Sequence, residues 1–399
     1  MRAAVVVLSD LGRNPRMQRH ARAWAMLADV DLIGLHGSAL EPGIDGTPRL
    51  AVHRLRDGRM QARSRASVSR FVVASALRAA AHALSAFRAL MRLPRPDVIL
   101  VGNPPAVPAL GVCWVVSRLR GARFIIDWQD LSHRRAAAQI GESHRLVRSI
   151  ARSERRWARR ADAHVAASQA LADWLRREYG VQAAVVYDRP MRSSAVAVPS
   201  PTVLAELGSP LAVCPTGWGA DEDFDLLLEA LERTDRSLSK GAPPAKLTVV
   251  LTGTGELRGA FETRLARRQF AHVAVRVLEV DSHAAIAIAD IGICLHQSAS
   301  GLDLPMVLSD LRGANVPACV YDYAPVLTEV LTNGREGVRF GEPGELMTLL
   351  VAAATRDSSS SSSENPLARS RAWLASNPPE TWEDTWPTAM AAVIGVGPG

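Results

Sequence analysis

Short apolar runs alternate with helix-patterned stretches along most of the chain, and they do so in two series divided by a proline- and serine-containing link at 192–201. Apolar runs of about four to eight residues bounded by turn residues read as buried strands, and strands alternating with helices imply βαβ units on a parallel sheet. In the first series the pattern predicts strands at 3–9, 31–35, 50–55, 97–102, 123–127, 164–167 and 183–187. Helices are expected between them at 15–27, 67–92, 105–119, 143–160 and 170–179. The second series predicts strands at 211–214, 247–252, 273–278, 291–295, 318–321 and 337–340. Its helices are expected at 222–233, 257–268, 284–289, 305–313, 324–331 and 344–354. The economical architecture is α/β: two doubly wound domains, 1–195 and 196–357, facing each other across a crevice. Ligands of such sheets bind at the carboxyl ends of the strands. The serine tract 358–363 has no apolar content, and 358–366 is expected to be a flexible linker. Helices over 367–374 and 382–394 then follow, and 367–399 is expected to complete the first domain.

At 399 residues the chain is too long for one small core. No apolar run reaches the roughly 18 residues of a membrane span. The opening run after Met1-Arg2 is too short for a signal peptide and reads as the first strand. Cys113, Cys214, Cys294 and Cys319 are far apart, each inside an apolar run. That spacing offers no metal site, so reduced core cysteines in a cytoplasmic protein are expected. Charge is less even. Residues 1–195 hold 32 arginines against 15 acidic residues, a surplus of 17, while the remainder carries a deficit of 10. A basic half calls for an anionic partner, either a lipid surface or nucleic acid. No basic motif interleaved with aromatics accompanies it, which argues against nucleic acid. A basic amphipathic helix at 67–92, preceded by Arg54, Arg56, Arg59, Arg63 and Arg65, suits either a membrane interface or ordinary packing, because arginine stems cover apolar surface.

The stretches that carry chemistry stand at strand-to-helix junctions. The longest is His296-Gln297-Ser298-Ala299-Ser300-Gly301-Leu302-Asp303-Leu304-Pro305-Met306, running on to Asp310. Small residues and a glycine there let a phosphate approach backbone N–H groups around Ser300, Gly301 and Leu302. Asp303 and Asp310 suit the hydroxyls of a ribose or hexose. Taken alone, the junction is equally an ordinary α/β turn with a capping serine. Thr252-Gly253-Thr254-Gly255 with Arg258 is a second phosphate-compatible turn, and Pro215-Thr216-Gly217-Trp218-Gly219 leads into an acidic helix start at Asp221-Glu222-Asp223. A lone G-x-G is weak, and acid in a first turn is ordinary dipole complementation. In the first half, Asp10, Gly12, Arg13, Asn14, Pro15, Arg16 and His20 follow the first strand; Asn14 suits an N-cap and Pro15 the first helical position. Arg16 and His20, four apart, share a helix face. Without a ligand this is a capped surface helix with its arginines in water. Asp127-Trp128-Gln129-Asp130 ends another strand with two carboxylates, either of which can act as a base or merely cap the next helix.

Together these motifs resemble the β-1,4-mannosyltransferases that act on chitobiosyl-diphosphodolichol (glycosyltransferase family 33). The resemblance rests on Gly12-Arg13-x-Pro15-Arg16-Met17-Gln18-x-x-His20-Ala21, Asn103-Pro104-Pro105, Ile126-Asp127-Trp128 and Val186-Tyr187-Asp188-x-Pro190. It continues through Asp221-Glu222-Asp223-Phe224, Thr252-Gly253-x-Gly255 and the stretch from Leu295 to Met306. It implies a GT-B fold of two Rossmann-like domains, a GDP-mannose donor held mainly by the C-terminal domain, and inversion at the anomeric carbon. It further implies a polyprenyl-diphosphate-linked or other surface-glycan acceptor at the cytosolic membrane face, with no catalytic metal and no further cofactor. The family's N-terminal membrane anchor has no counterpart ahead of the first strand, so a bacterial-type relative, cytoplasmic and at most peripheral on the membrane, is expected.

On this reading Asp10, His20 and Asp127 are the candidates for the general base. The donor candidates are Gly12, Arg13, Arg16, Thr216, Gly253, Gly255, Arg258, His296, Ser300, Gly301, Leu302, Asp303 and Asp310. The chain departs from the family's pattern at Thr254 and Val307, where the family carries lysine, and at Gln129-Asp130, where it carries His-Asn. Two competing readings follow from those departures: a UDP- or other nucleotide-sugar donor on the same fold, and a non-catalytic nucleotide-sugar-binding subunit.

Overall fold

A computed structural model describes residues 1–56, 68–192, 207–208, 210–240, 245–355 and 365–395, and the side chains of all of these but 68–76. The serine tract, Arg59, Arg63, Arg65 and most of the expected inter-domain link lie outside the described residues. The chain forms two compact units, Met1–Ser194 with Trp382–Gly399, and Ala195–Thr381.

The first unit is built on a seven-stranded parallel sheet in the order β3-β2-β1-β4-β5-β6-β7. Its strands are β1 (Arg2–Asp10), β2 (Asp29–Leu35), β3 (Leu50–Leu55), β4 (Val98–Asn103), β5 (Arg123–Trp128), β6 (Ala163–Ala166) and β7 (Ala184–Val185). β1 lies between β2 and β4, with Val5 opposite both Leu32 and Leu100. Residues Ala3 to Leu8 are all buried, which is why that run is continuously apolar rather than alternating: helices cover both faces of a parallel sheet. The helices are α1 (Pro15–Ala25), α2 (Val68–Arg92), α3 (Ala109–Arg120), α4 (Ser132–Ile140), α5 (Arg145–Ala158) and α6 (Gln169–Tyr179). The Asn14 side chain caps α1 by accepting from the Met17 amide at 3.1 Å, with Pro15 behind it. α3 starts four residues later than expected because Pro104, Pro105 and Pro108 lack the amide and bias their predecessors to extended backbone. α4 was not expected at all. None of its side chains is buried, so it has no apolar stripe for a periodicity argument to find.

The second unit holds a six-stranded parallel sheet in the order β10-β9-β8-β11-β12-β13. Its strands are β8 (Leu211–Pro215), β9 (Leu247–Thr252), β10 (Val273–Val277), β11 (Ile291–Cys294), β12 (Ala318–Tyr321) and β13 (Gly337–Phe340). The helices are α7 (Phe224–Leu238), α8 (Arg258–Leu265), α9 (Ser282–Ile286), α10 (Val307–Gly313), α11 (Pro343–Thr355) and α12 (Pro366–Ser376). The helix expected at 324–331 is a 3₁₀ segment, Pro325–Glu329, and α10 begins two residues after the predicted start.

The C-terminal segment divides, which corrects the expectation that all of 367–399 joins the first unit. α12 stays with the second unit, where Leu367 packs into a core with Leu346 and Leu350, and the Arg312 guanidinium lies 4.7 Å above the Trp373 ring. Only the last helix, α13 (Trp382–Ile394), belongs to the first unit, placing Trp382, Trp386, Met390 and Val393 in the core with Trp24 and Leu32. All four cysteines are unpaired and buried. Among the described residues no helix is long and apolar enough to cross a membrane.

Candidate active site

In each sheet the strand order reverses once, between β1 and β4 in the first and between β8 and β11 in the second. Loops leaving the carboxyl ends of those strands splay apart at the reversal, where ligands of open α/β sheets bind. Asp10, Gly12, Arg13, Thr216 and the stretch from His296 to Asp303 lie at such places, whereas Gly253 and Gly255 follow the neighbouring β9.

In the first unit Asp10 ends β1 and organises the turn after it. Its carboxylate accepts from the Gly12 amide at 3.0 Å, the Ser38 amide at 2.9 Å and the Ser38 hydroxyl at 2.8 Å, and it keeps 27 % of its side chain exposed. Gly12 serves this packing. A Cβ there would stand 2.3 Å from the Ala39 carbonyl oxygen, so glycine is needed for backbone against backbone rather than for a ligand. The Arg13 Nε lies 3.9 Å from the Asp10 carboxylate, with half of its side chain in solvent.

Arg16 and His20 do share a face of α1, but that face is inside. The Arg16 guanidinium donates to both Asp127 oxygens, to the Val186 carbonyl at 2.8 Å and to Asp188 at 2.9 Å, beneath the Trp382 ring. His20 accepts from the Trp386 indole at Nδ1 (2.8 Å) and brings Nε2 to 3.6 Å from Asp127. Gln129 donates to the same carboxylate at 3.2 Å and is held in turn by Asn14. Burial would raise the Asp127 carboxyl, but the Arg16 charge holds it well below the usual carboxylate range. Burial lowers His20 and keeps it neutral. These placements correct three expectations. Asp127 and His20 are closed to solvent, and Arg16 spends its donors on protein acceptors, so the three form an internal brace between β5, α1 and α13. Asp10 alone of the three base candidates remains open.

A second brace was missed in the sequence. Glu154 is fully buried; one oxygen accepts from the Asn103 side chain at 3.0 Å and the Ser132 amide at 2.8 Å, and the other pairs with His133 Nδ1. It ties the Asn103-Pro104-Pro105 turn to α4 and α5. A signal existed: Glu154 stands on the inward stripe with Val147 and Ala158, the one acid on that face of an arginine-rich helix.

In the second unit the loops after β8 and β11 are stitched together at the reversal. Glu222 forms an antiparallel bridge with His296, and the Gln297 amide donates to the Asp221 carbonyl at 2.7 Å. The His296 ring lies between Asp303, 2.9 Å from Nε2, and Asp221, 3.4 Å from Nδ1. Burial alone would lower this imidazole, but the two carboxylates outweigh it and push it up to about 10. Glu222 behaves in the opposite sense. Burial pushes its carboxyl up to about 7, against the pull of the Gly217 and Gly219 amides at 3.2 Å.

Ser298 donates to Asp303 and accepts from the Gly301 amide at 2.8 Å, while the Ser300 hydroxyl accepts from the Leu302 amide at 3.2 Å. The loop amides expected to meet a phosphate are thus held by serine hydroxyls, which present their own oxygens in front of them. Gly301, at φ +71°, turns the chain, and Tyr323 fastens the loop by donating to the Asp303 carbonyl at 2.7 Å.

The turn after β9 docks onto the same loops. Thr216 Oγ1 and the Trp218 indole both donate to the Thr252 carbonyl, at 2.9 and 3.1 Å. A Cβ on Gly253 would come within 2.0 Å of the Thr216 carbonyl oxygen, and one on Gly255 within 2.2 Å of that of Gly217. The glycine pair therefore permits two loops to lie in contact, a different need from the phosphate approach expected of it. Arg258 donates to Glu262 at 3.0 Å and Glu279 at 2.8 Å, which already offsets its charge. Asp310 is not grouped with Asp303; its carboxylate lies 3.6 Å from His283, whose other ring nitrogen faces Asp281. Among the described residues no cluster of three or more His, Cys, Asp or Glu could hold a metal ion.

Residues 12–187 match the family model described as a glycosyl transferase 4-like domain. A chitobiosyldiphosphodolichol beta-mannosyltransferase of Arthroderma benhamiae is 31 % identical over 75 % of this chain and 71 % of its own. A protein of the same name from Mus musculus is 27 % identical over 96 % and 86 %. The UDP-glycosyltransferase TURAN of Arabidopsis thaliana is 29 % identical over 88 % of each chain. Among solved structures, HepE of Anabaena in complex with UDP and glucose superposes with a TM-score of 0.64 at 14 % identity over 99 % of each chain. Sucrose-phosphate synthase from Thermosynechococcus elongatus gives 0.62 at 13 %, over 98 % and 97 %. At such identities the likeness is one of fold, and the fold is GT-B.

Proposed function

Because the chain belongs to the chitobiosyldiphosphodolichol β-mannosyltransferase family, and is a glycosyltransferase, we propose that it transfers mannose from GDP-mannose, with inversion, to a hydroxyl of a glycan carried on a polyprenyl diphosphate. The observation that carries this reading is the stitched pair of loops at the β8/β11 reversal, where His296, Asp303 and the two serines converge. A nucleotide-sugar site in an open sheet needs such a place, and the family's longest motif falls on it.

The donor would rest on this loop pair. Its diphosphate would take the Gly301 and Leu302 amides in exchange for the Ser298 and Ser300 hydroxyl oxygens that now hold them, with Thr216, Gly253 and Gly255 fixing the floor beneath. The family's two lysines are replaced by Thr254 and Val307, and His296, itself between Asp221 and Asp303, is a cation on the loop. Asp303 would orient both the imidazole and a sugar hydroxyl. As the glycosidic bond to the diphosphate breaks, negative charge builds on the leaving phosphate, and preorganised donors stabilise it there. The acceptor hydroxyl attacks the anomeric carbon from the opposite side and gives its proton to a base. Asp10 is that base in this reading, supported by its open carboxylate at the end of β1; Arg16, Asp127 and His20 brace α1 against the end of β5. A lipid-linked acceptor also calls for contact between the basic N-terminal half and an anionic membrane surface.

A UDP-sugar donor is the second reading, favoured by the two lost lysines. The test is a comparison of GDP, GDP-mannose, UDP and UDP-glucose as stabilisers of the purified protein, followed by transfer to a synthetic chitobiosyl diphosphate lipid. Stabilisation by guanine nucleotides and mannose transfer are expected. Stabilisation by uridine nucleotides with no response to GDP overturns the donor assignment.

A further inference from the structure

Five arginines of α5 (Arg145, Arg148, Arg152, Arg155 and Arg156) and the two in the turn that closes it, Arg159 and Arg160, recur at spacings of three and four. Such spacing puts all seven on one side of the helix, opposite Val147, Glu154 and Ala158, which are buried. Every one of the seven is exposed. Like charges one turn apart repel and weaken a helix, so this strip works against the helix that carries it. Among the described residues none of the seven makes an ion pair, whereas neighbouring arginines do: Arg118 with Asp162 and Arg134 with Glu142. Their contacts are instead carbonyls one turn back, as from Arg152 to Arg148 and from Arg160 to Arg156, and aromatic faces. The Arg160 guanidinium lies over the rings of both Trp114 and Trp157, which are 5.2 Å apart.

Three large apolar side chains near the strip are open to solvent. Leu119 at the end of α3 is 63 % exposed, and Leu146 in the first turn of α5 is 49 % exposed, with Ile140 open at the end of α4. α3 and α4 are the helices that pack against α5. Solvated surfaces mix both signs of charge; the seven-arginine strip has a single sign, and leucine and tryptophan side chains flank it. Guanidinium groups seek phosphate, and leucine and indole seek the boundary between headgroup and acyl chain. A nucleic-acid duplex would reward the arginines but leave the leucines in water.

We propose that the arginine face of α5, with the apolar residues flanking it on α3 and α4, is the surface by which the protein rests on an anionic phospholipid bilayer. It moves the membrane contact away from the long α2 helix, where the sequence suggested it. The surface deepens the reading of a lipid-linked acceptor, yet its test needs neither donor nor acceptor.

The experiment is co-sedimentation of the full chain with vesicles of phosphatidylcholine alone and of phosphatidylcholine with phosphatidylglycerol, at about 0.1 M salt. Each arginine at an anionic surface is worth roughly fivefold in partitioning, so the triple variant Arg148→Gln, Arg152→Gln, Arg156→Gln should lose about a hundredfold, with its melting temperature no lower than the parent's. The α2 variant Arg88→Gln, Arg92→Gln should pellet nearly as the parent does. Release of the parent by high salt is the second expected result, and it does not depend on any variant folding. Equal pelleting on neutral vesicles, salt-independent pelleting, or a triple variant that pellets like the parent overturns the proposal. So does displacement of the protein from vesicles by an equal phosphate concentration of duplex DNA, which would make nucleic acid the partner. A parent that transfers mannose but does not pellet would remove this surface alone, and a parent that pellets without transfer would remove only the donor and acceptor assignment.

Discussion

Arg16 meets Asp127 through Nε at 3.0 Å and Nη2 at 2.9 Å, with both side chains closed to solvent. The pair joins α1 to the end of β5, and the remaining Arg16 donors reach the Val186 carbonyl and Asp188 beyond β7. Removing one partner of such a pair strands the other charge in the interior, at a cost of about 3–5 kcal/mol. Arg16→Met should therefore lower the unfolding free energy of the first unit by that amount, read from urea titration of tryptophan fluorescence. The Asp127 carboxyl is depressed in the fold, so its stabilisation is complete above the ordinary carboxylate pKa and is lost as pH falls through the lower folded value. An Arg16→Met protein as stable as the parent at pH 7 would mean that the brace carries no strain-free energy of its own.

The Trp386 indole donates to His20 at 2.8 Å, one of the contacts that fasten α13 to α1. Trp386→Phe keeps the ring contacts and leaves an imidazole nitrogen without its donor in the interior, costing about 1–3 kcal/mol. Because His20 is lowered by burial, the unfolded chain binds its proton first as the solution is acidified. Stability of the first unit should rise with pH through the ordinary imidazole range, near 6.5, and fall below it. Urea midpoints measured at pH 7.5 and 5.5 check both the direction and the additional loss in the variant.

Strand positions were largely legible because a covered parallel strand needs an unbroken apolar run, as Ala3 to Leu8 show. What failed was the inference from residue type to exposure. Arg16, His20 and Asp127 read as surface chemistry because charged side chains seldom enter an interior, yet here they satisfy one another inside it. Periodicity could not have exposed this, since the partners are separated by more than a hundred residues. The glycines of the 252–255 turn do lie on a strand-to-helix loop, the one after β9, but their need comes from the Thr216 and Gly217 carbonyls of a loop that sequence alone does not bring near. The last helix was foreseen, and its division from α12 was not, because both segments are comparably apolar and only packing partners distinguish them.

Gly255 sits where a Cβ would meet the Gly217 carbonyl oxygen at 2.2 Å and the Trp218 backbone at 2.9 Å. Backbone cannot yield as a flexible side chain can, so Gly255→Ala must push the 252–255 turn away from the loop bearing Glu222. A loss of about 1–3 kcal/mol in the second unit is expected, of the size strained or overpacked positions show. Stabilisation by nucleotide should fall with it by at least tenfold in apparent affinity. Gly259→Ala, on α8 with open space around its Cβ position, is the control and should be neutral or slightly stabilising.

The two raised groups of the second unit set a pH response opposite to that of His20. His296, held between Asp221 and Asp303, is pushed up to about 10 despite its burial, and Glu222 is pushed up to about 7 by burial. A group whose pKa is higher in the fold stabilises fully below its unfolded value and ceases to do so as pH rises through the folded one. For Glu222 that window runs from the ordinary glutamate value to about 7, and for His296 from the ordinary imidazole value to about 10. Melting of the second unit should therefore decline steadily between pH 7 and 10, and His296→Gln should flatten that slope while lowering stability at pH 7. The same protonated ring shares Asp303 with Ser298, so nucleotide diphosphate binding should hold from pH 7 to 9, weaken as the pH reaches about 10 in the parent, and lose that pH dependence in His296→Gln. A parent whose nucleotide affinity does not change as the pH passes about 10 would place the diphosphate away from His296 and return the charge of the missing lysines to some other cation.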